Sequence, residues 1–164
     1  MAVFFNCSKK FLPILDLRLL HRQSVSIMRL AAVPKFDLTV DFVGNNAIQV
    51  LNKRYRQIDK PTDVLSFPNY QIQAGQAAPT PREVLGEEWD LGNIVLAVPY
   101  VFEQCQELET TLDARLPRLI THGVFHMLGY DHETEADHKR MRAKEAELLE
   151  ALRKEYPRDR IDLD

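Results

Sequence analysis

The sequence predicts an α+β fold in one compact domain, and three observations predict it. Stretches of strict apolar–polar alternation are interspersed with longer ones in which apolar residues return every three to four positions. These are the periods of a half-buried strand and of an amphipathic helix. The 164 residues suffice for one domain to bury a core without disulfides or a structural metal. Hydrophobic residues at 45% and charged residues at 27% place the chain among ordinary globular proteins. No internal repeat or low-complexity tract divides it, so residues 1–164 are expected to form a single domain.

The elements follow in order. Residues 2–5 read as a short strand and residues 17–33 as an amphipathic helix, with Leu19, Leu20, Val25, Ile27, Met28 and Leu30 as its apolar surface. Up to Lys35 this segment carries Lys9, Lys10, Arg18, Arg22, Arg29 and Lys35 against Asp16 alone, a bias shared with organelle-targeting segments. Its apolar surface favours a part in the fold, and the two readings are compatible. Phe36, Leu38, Val40 and Phe42 share one face of a second strand, with Asp37, Thr39 and Asp41 on the other. Gly44 interrupts it, and Asn45 or Asn46 is the expected cap of a helix through Ala47, Ile48, Leu51 and Tyr55, ended by Asp59, Lys60 and Pro61.

Residues 63–67 form a third strand candidate, stopped by Pro68. Residues 69–90, with Gly75, Pro79, Pro81 and Gly86, show no steady period; connections this long are usually functional or mobile. Residues 94–98 are a short apolar run rich in branched side chains, the signature of a central strand. Pro99 suits the first position of a helix through Val101, Phe102, Cys105 and Leu108. Residues 111–128 are helical by pattern, although Pro117 lies inside, so the helix starts near the proline or is kinked there. A last, heavily charged helix begins near Thr134, which has capping-box spacing to Asp137, and runs to about Lys154 on a narrow stripe of Met141, Leu148, Leu149 and Leu152.

Charge and cysteine usage narrow the function. A net charge of −3 and a pI near 6.0 exclude a generally basic polyanion binder, so any nucleic-acid surface must be local. Cys7 and Cys105 stand far apart in no ligand-like spacing, which is simplest in a reducing compartment. Every apolar stretch is far shorter than the roughly 20 residues of a bilayer span, so no membrane partner is expected.

The chemistry concentrates in His122-Gly-Val-Phe-His126-Met-Leu-Gly129-Tyr-Asp131-His132. Residues four apart on a helix differ by about 40° of rotation and roughly 6 Å of rise. His122 and His126 can therefore meet one ion. Gly129 lets the chain leave the helix in a left-handed turn, which returns His132 to the same ion. Three protein ligands leave a fourth tetrahedral position open, as in catalytic zinc sites. One Zn²⁺ so held lowers the pKa of its water to about 7 and polarises a carbonyl or phosphoryl oxygen, which makes hydrolysis the natural reaction class. The spacing also matches the metzincin peptidases, HExxHxxGxxH, except that Gly123 stands where they have the glutamate that serves as general base. His138 and His21 read as solvated surface. Asp131 either orients a histidine or caps the turn. A second cluster, Lys53, Arg54, Arg56 and Lys60, reads as a phosphate contact or as a solvated helix face.

The histidine segment resembles the signature of the YbeY family of metal-dependent endoribonucleases of rRNA maturation. Asn52-Lys-Arg-Tyr55-Arg56, Pro61-Thr-Asp-Val-Leu-Ser-Phe-Pro68 and Leu91-Gly-Asn-Ile94 support the resemblance over nearly the whole chain. It implies a small mixed four-stranded sheet flanked by helices, with zinc on His122, His126 and His132 at the end of a central helix. It implies single-stranded RNA, an rRNA precursor, as substrate, ribosomal components as partners, and no DNA. The family's Asn-x-x-Tyr-Arg arginine falls on Arg56, to which phosphate contact and transition-state stabilisation are assigned. The expected compartment is the cytoplasm for a bacterial source and a mitochondrion or plastid for a eukaryotic one. Two departures stand out: Asn93 where the family usually has aspartate, and Pro117 in the ligand-bearing helix. Two rivals are a metzincin-like metallopeptidase and a non-catalytic ribosome-associated protein whose zinc only holds the fold.

Overall fold

A computed structural model describes residues 1–77 and 89–163. Half of the expected segment 69–90, residues 78–88, therefore lies outside the described residues. Strands β1 (Val3–Cys7), β2 (Asp37–Val43), β3 (Val64–Pro68) and β4 (Asp90–Ala97) form a mixed sheet in the order β1-β2-β4-β3. β1 and β4 each run parallel to β2, and β3 runs antiparallel to β4. Helices α1 (Leu17–Leu30), α2 (Asn45–Arg56), α3 (Val98–Glu107), α4 (Leu112–Met127) and α5 (Glu135–Glu155) surround it, with a 3-10 helix at Lys9–Ile14 that periodicity did not reveal. This is the α+β architecture the sequence predicts.

The sheet buries unequal faces. Leu38, Val40 and Phe42 of β2 and Ile94 and Leu96 of β4 join the large core made with α1, α4 and α5. On the opposite face Leu65, Val95 and Ala97 pack with Ile48 of α2 in a smaller cluster. β4 is thus buried on both sides, which is why residues 94–97 read as an unbroken apolar run. It starts at Asp90, earlier than expected, because polar Asp90 and Asn93 conceal a stretch that pairs with β2 and β3. Pro68, expected to stop this strand after Phe67, is instead its last residue; on an edge strand its missing donor is tolerated.

The basic N-terminal segment is part of the fold, with Val3, Phe11, Leu15, Leu20, Ile27 and Met28 buried in the large core. Asp16 caps α1 by accepting the Leu19 N–H at 2.9 Å. The helix closes before the expected Val33, because Ala32 turns left-handed (φ +62°) and the Val33 N–H returns to the Met28 carbonyl at 3.0 Å. His21 is exposed, as expected, but lies 3.1 Å from the Val3 carbonyl and so ties α1 to edge strand β1. The N-cap of α2 is Gly44, not an asparagine: Asn45 and Asn46 lie in the first turn, and no side chain caps it. α2 also ends earlier than expected, at Arg56, where Gln57 turns left-handed at φ +60°.

α4 runs through the middle of the molecule. Thr111 caps it by accepting the Ala114 N–H at 3.3 Å, so the helix begins well before Pro117 and includes it. It lies close on the sheet at Gly123: a Cβ there would be 2.7 Å from Cδ1 of Ile94 and 3.1 Å from Oγ of Ser66. Gly123→Ala is expected to destabilise the protein by about 1–3 kcal/mol through overpacking, outweighing alanine's better helix propensity. Urea unfolding measures it, and an increase in stability would show the helix–sheet contact to be loose.

Candidate metal centre

The centre is assembled where α4 ends. His122 and His126 occupy successive turns, and their Nε2 atoms are 3.0 Å apart. His132, five residues beyond α4, brings its ring centroid to 5.1 Å from that of His126 and 6.1 Å from that of His122. One nitrogen from each of the three lies within 4.8 Å of the others. Two nitrogens bound to one tetrahedral ion at about 2.1 Å stand roughly 3.4 Å apart, so small ring movements suffice for the set to close on a common ion. The donor set fits a divalent metal.

The return of His132 depends on how α4 stops. The Gly129 N–H donates to the His126 carbonyl and the Tyr130 N–H to the Phe125 carbonyl, each at 3.0 Å, which together make a Schellman motif with Gly129 left-handed at φ +81°. Phe125 and Tyr130 pack edge to face across it, 5.3 Å between centroids. A side chain at residue 129 would also collide with the Ile72 carbonyl, and Arg140 holds that neighbouring segment by donating to the Ala74 carbonyl at 3.0 Å. The same turn delivers the Tyr130 carbonyl to within 3.0 Å of Nδ1 of His126. That carbonyl can only accept, so it holds the proton on Nδ1 and leaves Nε2 free to bind.

His122 is oriented by a different element. Its Nδ1 is 2.6 Å from Oε1 of Glu145, a buried residue of α5. This is the carboxylate–histidine pairing that fixes a ligand's tautomer and raises its basicity. Burial pushes the pKa of His126 down from 6.5 to about 4, and the neighbouring His122 and His132 push it in the same direction. His126 is therefore neutral at physiological pH, the form that binds metal. Asp131 accepts the backbone N–H of His132 at 2.6 Å, which makes it a turn-former; no bond joins it to an imidazole among the described residues.

Beside the histidines lies a cavity of about 170 Å³, lined by Arg118 of α4 and by His138, Met141, Arg142 and Glu145 of α5, besides His122 and His132. His138 is exposed, as the sequence suggested, yet its ring lies 6.3 Å from that of His132 and borders the centre. Glu145 and Arg118 escaped the sequence reading. A signal existed for both: Arg118 continues the i, i+4 stripe of His122 and His126, and residues 138, 141, 142 and 145 share one face of α5.

Arg56 is exposed as the last residue of α2, the helix whose Ile48 packs on the sheet face opposite the large core; neighbouring Tyr55 meets Phe67 of edge strand β3 at 5.0 Å between ring centroids. No hydrogen bond or ion pair joins Arg56 to the imidazoles among the described residues. Of its neighbours, Lys53 pairs with Asp59 at 2.7 Å, and Asn52 is buried and donates to the Lys60 carbonyl at 2.8 Å, closing the loop after α2. Asn93 donates to Asp41 at 3.3 Å, and Asp41 also accepts from Asn6 at 2.7 Å. An aspartate at residue 93 would set two carboxylates against each other there, and the amide removes that repulsion.

Residues 9–153 match the protein family described as endoribonuclease YbeY. The chain is 41% identical over 127 residues to the human endoribonuclease YbeY, covering 77% of this chain and 74% of that protein. It is 39% identical over 118 residues to the endoribonuclease YbeY of Bacillus mycoides (strain KBAB4), covering 71% and 72% of the two chains. Its fold is similar to the solution structure of TM1509 from Thermotoga maritima, with a TM-score of 0.57 and 22% identity over 96% of this chain and 92% of that one.

Glu145→Gln is expected to weaken metal binding about 10–100-fold while leaving the three imidazoles in place, as measured by competition with a chromophoric chelator; unchanged affinity would refute the orienting role. The metal-free protein should also be less stable at pH 5 than at pH 7. Folded His126 takes its proton near pH 4 and the unfolded residue near 6.5, so stability is full above 6.5 and declines as pH falls through that window. The lowered pKa values of Asp59 and Glu155 act only below their ordinary values of 3.8 and 4.5, which leaves pH 5–6.5 to report on His126. Equal urea midpoints at the two pH values would contradict it.

Proposed function

Because the chain belongs to the endoribonuclease YbeY family, we propose that residues 1–164 form one metal-dependent hydrolase domain that cleaves phosphodiester bonds of single-stranded precursor rRNA. His122, His126 and His132 hold a single divalent ion, and their nitrogen donors suit zinc. The observation that carries the reading is the convergence of three imidazole nitrogens within 4.8 Å of one another, in a chain of an endoribonuclease family. Ribosomal components are the expected partners, in keeping with rRNA processing. Among the described residues no helix is long and apolar enough to cross a membrane.

When bound, the ion supplies Lewis-acid activation of a phosphoryl oxygen or of water. The chain's own residues prepare for it. His126 stays neutral with its Nδ1 proton on the Tyr130 carbonyl, and Glu145 holds His122 in the matching orientation. Arg56, an exposed guanidinium at the end of α2, is assigned to an RNA phosphate, where its permanent charge offsets the charge that develops on the phosphoryl group. The peptidase alternative is disfavoured by packing as well as by sequence. The glutamate that a metzincin places after its first histidine would have to occupy Gly123, where even a Cβ meets Ile94 and Ser66.

The test combines metal analysis of purified protein with cleavage of single-stranded and duplex RNA before and after chelation. Cleavage of the single strand should disappear on chelation, return with Zn²⁺, and be lost in His126→Ala while thermal melting stays near normal. Metal-independent cleavage would sink the reading, and collapse of the fold in His126→Ala would move the metal to a structural role. A 2′,3′-cyclic phosphate on the product would identify the RNA's own 2′-hydroxyl as the attacking group.

A further inference from the structure

Tyr55, in the last turn of α2, keeps an aromatic side chain 58% exposed. The ring is nevertheless held in place. Phe67 of edge strand β3 meets it edge to face at 5.0 Å between centroids, and the Arg54 guanidinium lies 5.4 Å from its centroid. Its hydroxyl makes no hydrogen bond among the described residues. Phe67 packs against the smaller cluster beneath α2, whereas its chain neighbour Ser66 faces Gly123 of α4, the residue after His122. Consecutive residues of one edge strand thus support the aromatic pair and contact the helix that carries two of the proposed metal ligands. The charge beside the ring is positive. Arg54 and Arg56 flank Tyr55 without an ion pair among the described residues, α2 contains no carboxylate, and Asp59 is taken by Lys53 at 2.7 Å. A held, exposed ring beside unpaired guanidiniums matches an unpaired nucleobase and its phosphate: the base stacks on the ring, and arginine meets the backbone charge.

We propose that Tyr55, braced by Phe67 and Arg54, is a stacking site for an unpaired base of the RNA substrate, flanking the bond to be cleaved. It rests on the endoribonuclease reading for its substrate, and it adds a group that selects single strands. A base inside a duplex is stacked between its neighbours and paired along its edge, so it offers Tyr55 no free face. Every base has a π face, so the site selects strandedness and is tolerant of sequence. Tyr55 touches the substrate away from the reacting atoms and moves no proton; it is a specificity-determining residue.

The experiment uses metal-loaded wild-type protein, Y55F, Y55L and R54Q, each checked by thermal melting. The probes are a single-stranded oligoribonucleotide, its duplex, and the single strand carrying 5-iodouridine at one position at a time, a base that photo-crosslinks to an aromatic ring stacked on it. In the wild type, Tyr55 should be the crosslinked residue. Y55L should raise Kd and KM for the single strand about tenfold, with kcat changed far less. Its affinity for the duplex and for zinc should stay unaltered, so the preference for single strands falls by the same factor. Y55F keeps the ring and should bind as the wild type does. The slope of log K against log salt should be unchanged in Y55L and smaller by about 0.7 in R54Q. A Y55L protein that binds and discriminates like the wild type would overturn the stacking site, and so would a Y55F protein that loses as much as Y55L. The absence of a Tyr55 crosslink at every position would do the same; in each case cleavage by the wild type leaves the endoribonuclease reading intact. Tyr55-dependent binding and crosslinking of single strands by a wild-type protein that cleaves no RNA would uphold the site and remove that reading.

Discussion

The centre depends on how closely α4 lies on the sheet. Gly123 is buried against Ile94 and Ser66, and that contact sets the rotation of the helix about its axis. With residue 123 turned to the sheet, residues 122 and 126 project about 100° and 60° to the same side, and residue 118 follows at about 140°. Both ligands thereby leave the core together and emerge where α5 crosses. A bulkier residue at 123 would lift or roll the helix, and both imidazoles would move together out of register with His132 and Glu145.

Once α4 is set, the remaining ligand geometry is carried by hydrogen bonds from structure outside the helix. The Schellman turn at Gly129 satisfies the last carbonyls of α4, returns the chain toward His132, and places the Tyr130 carbonyl on His126. One short segment therefore terminates a helix, supplies a ligand and selects a tautomer. Glu145 does the equivalent for His122 from another helix, so the docking of α5 on α4 is part of the metal centre as well as of the core. The same docking creates the cavity in which Arg118 and Arg142 meet.

This arrangement separates ligation from the rest of the chemistry. The three-histidine spacing is shared with peptidases, but the tight helix–sheet contact occupies the position from which a peptidase's glutamate would act. What lines the cavity beside the centre is mixed in charge, with Arg118, Arg142 and Glu145 next to His122 and His132.

The sequence by itself determined whatever depends on local period and spacing. The alternation from Phe36 to Phe42, the apolar run of β4, the Thr134 cap and the His122–His126–Gly129–His132 spacing each declare their structure without distant partners. Element ends were less legible: α1 and α2 stop in left-handed turns at Ala32 and Gln57, residues that carry no glycine signal. The early start of β4 became visible only through its pairing with neighbouring strands. Tertiary structure alone decided that Glu145 orients His122 across 23 positions of sequence and that Asp41 receives Asn93. The physical reason is common to both. Hydrogen-bond partners and electrostatic neighbours are set by which faces of separate elements pack together, and a one-dimensional pattern records the face of each element but not the face it meets.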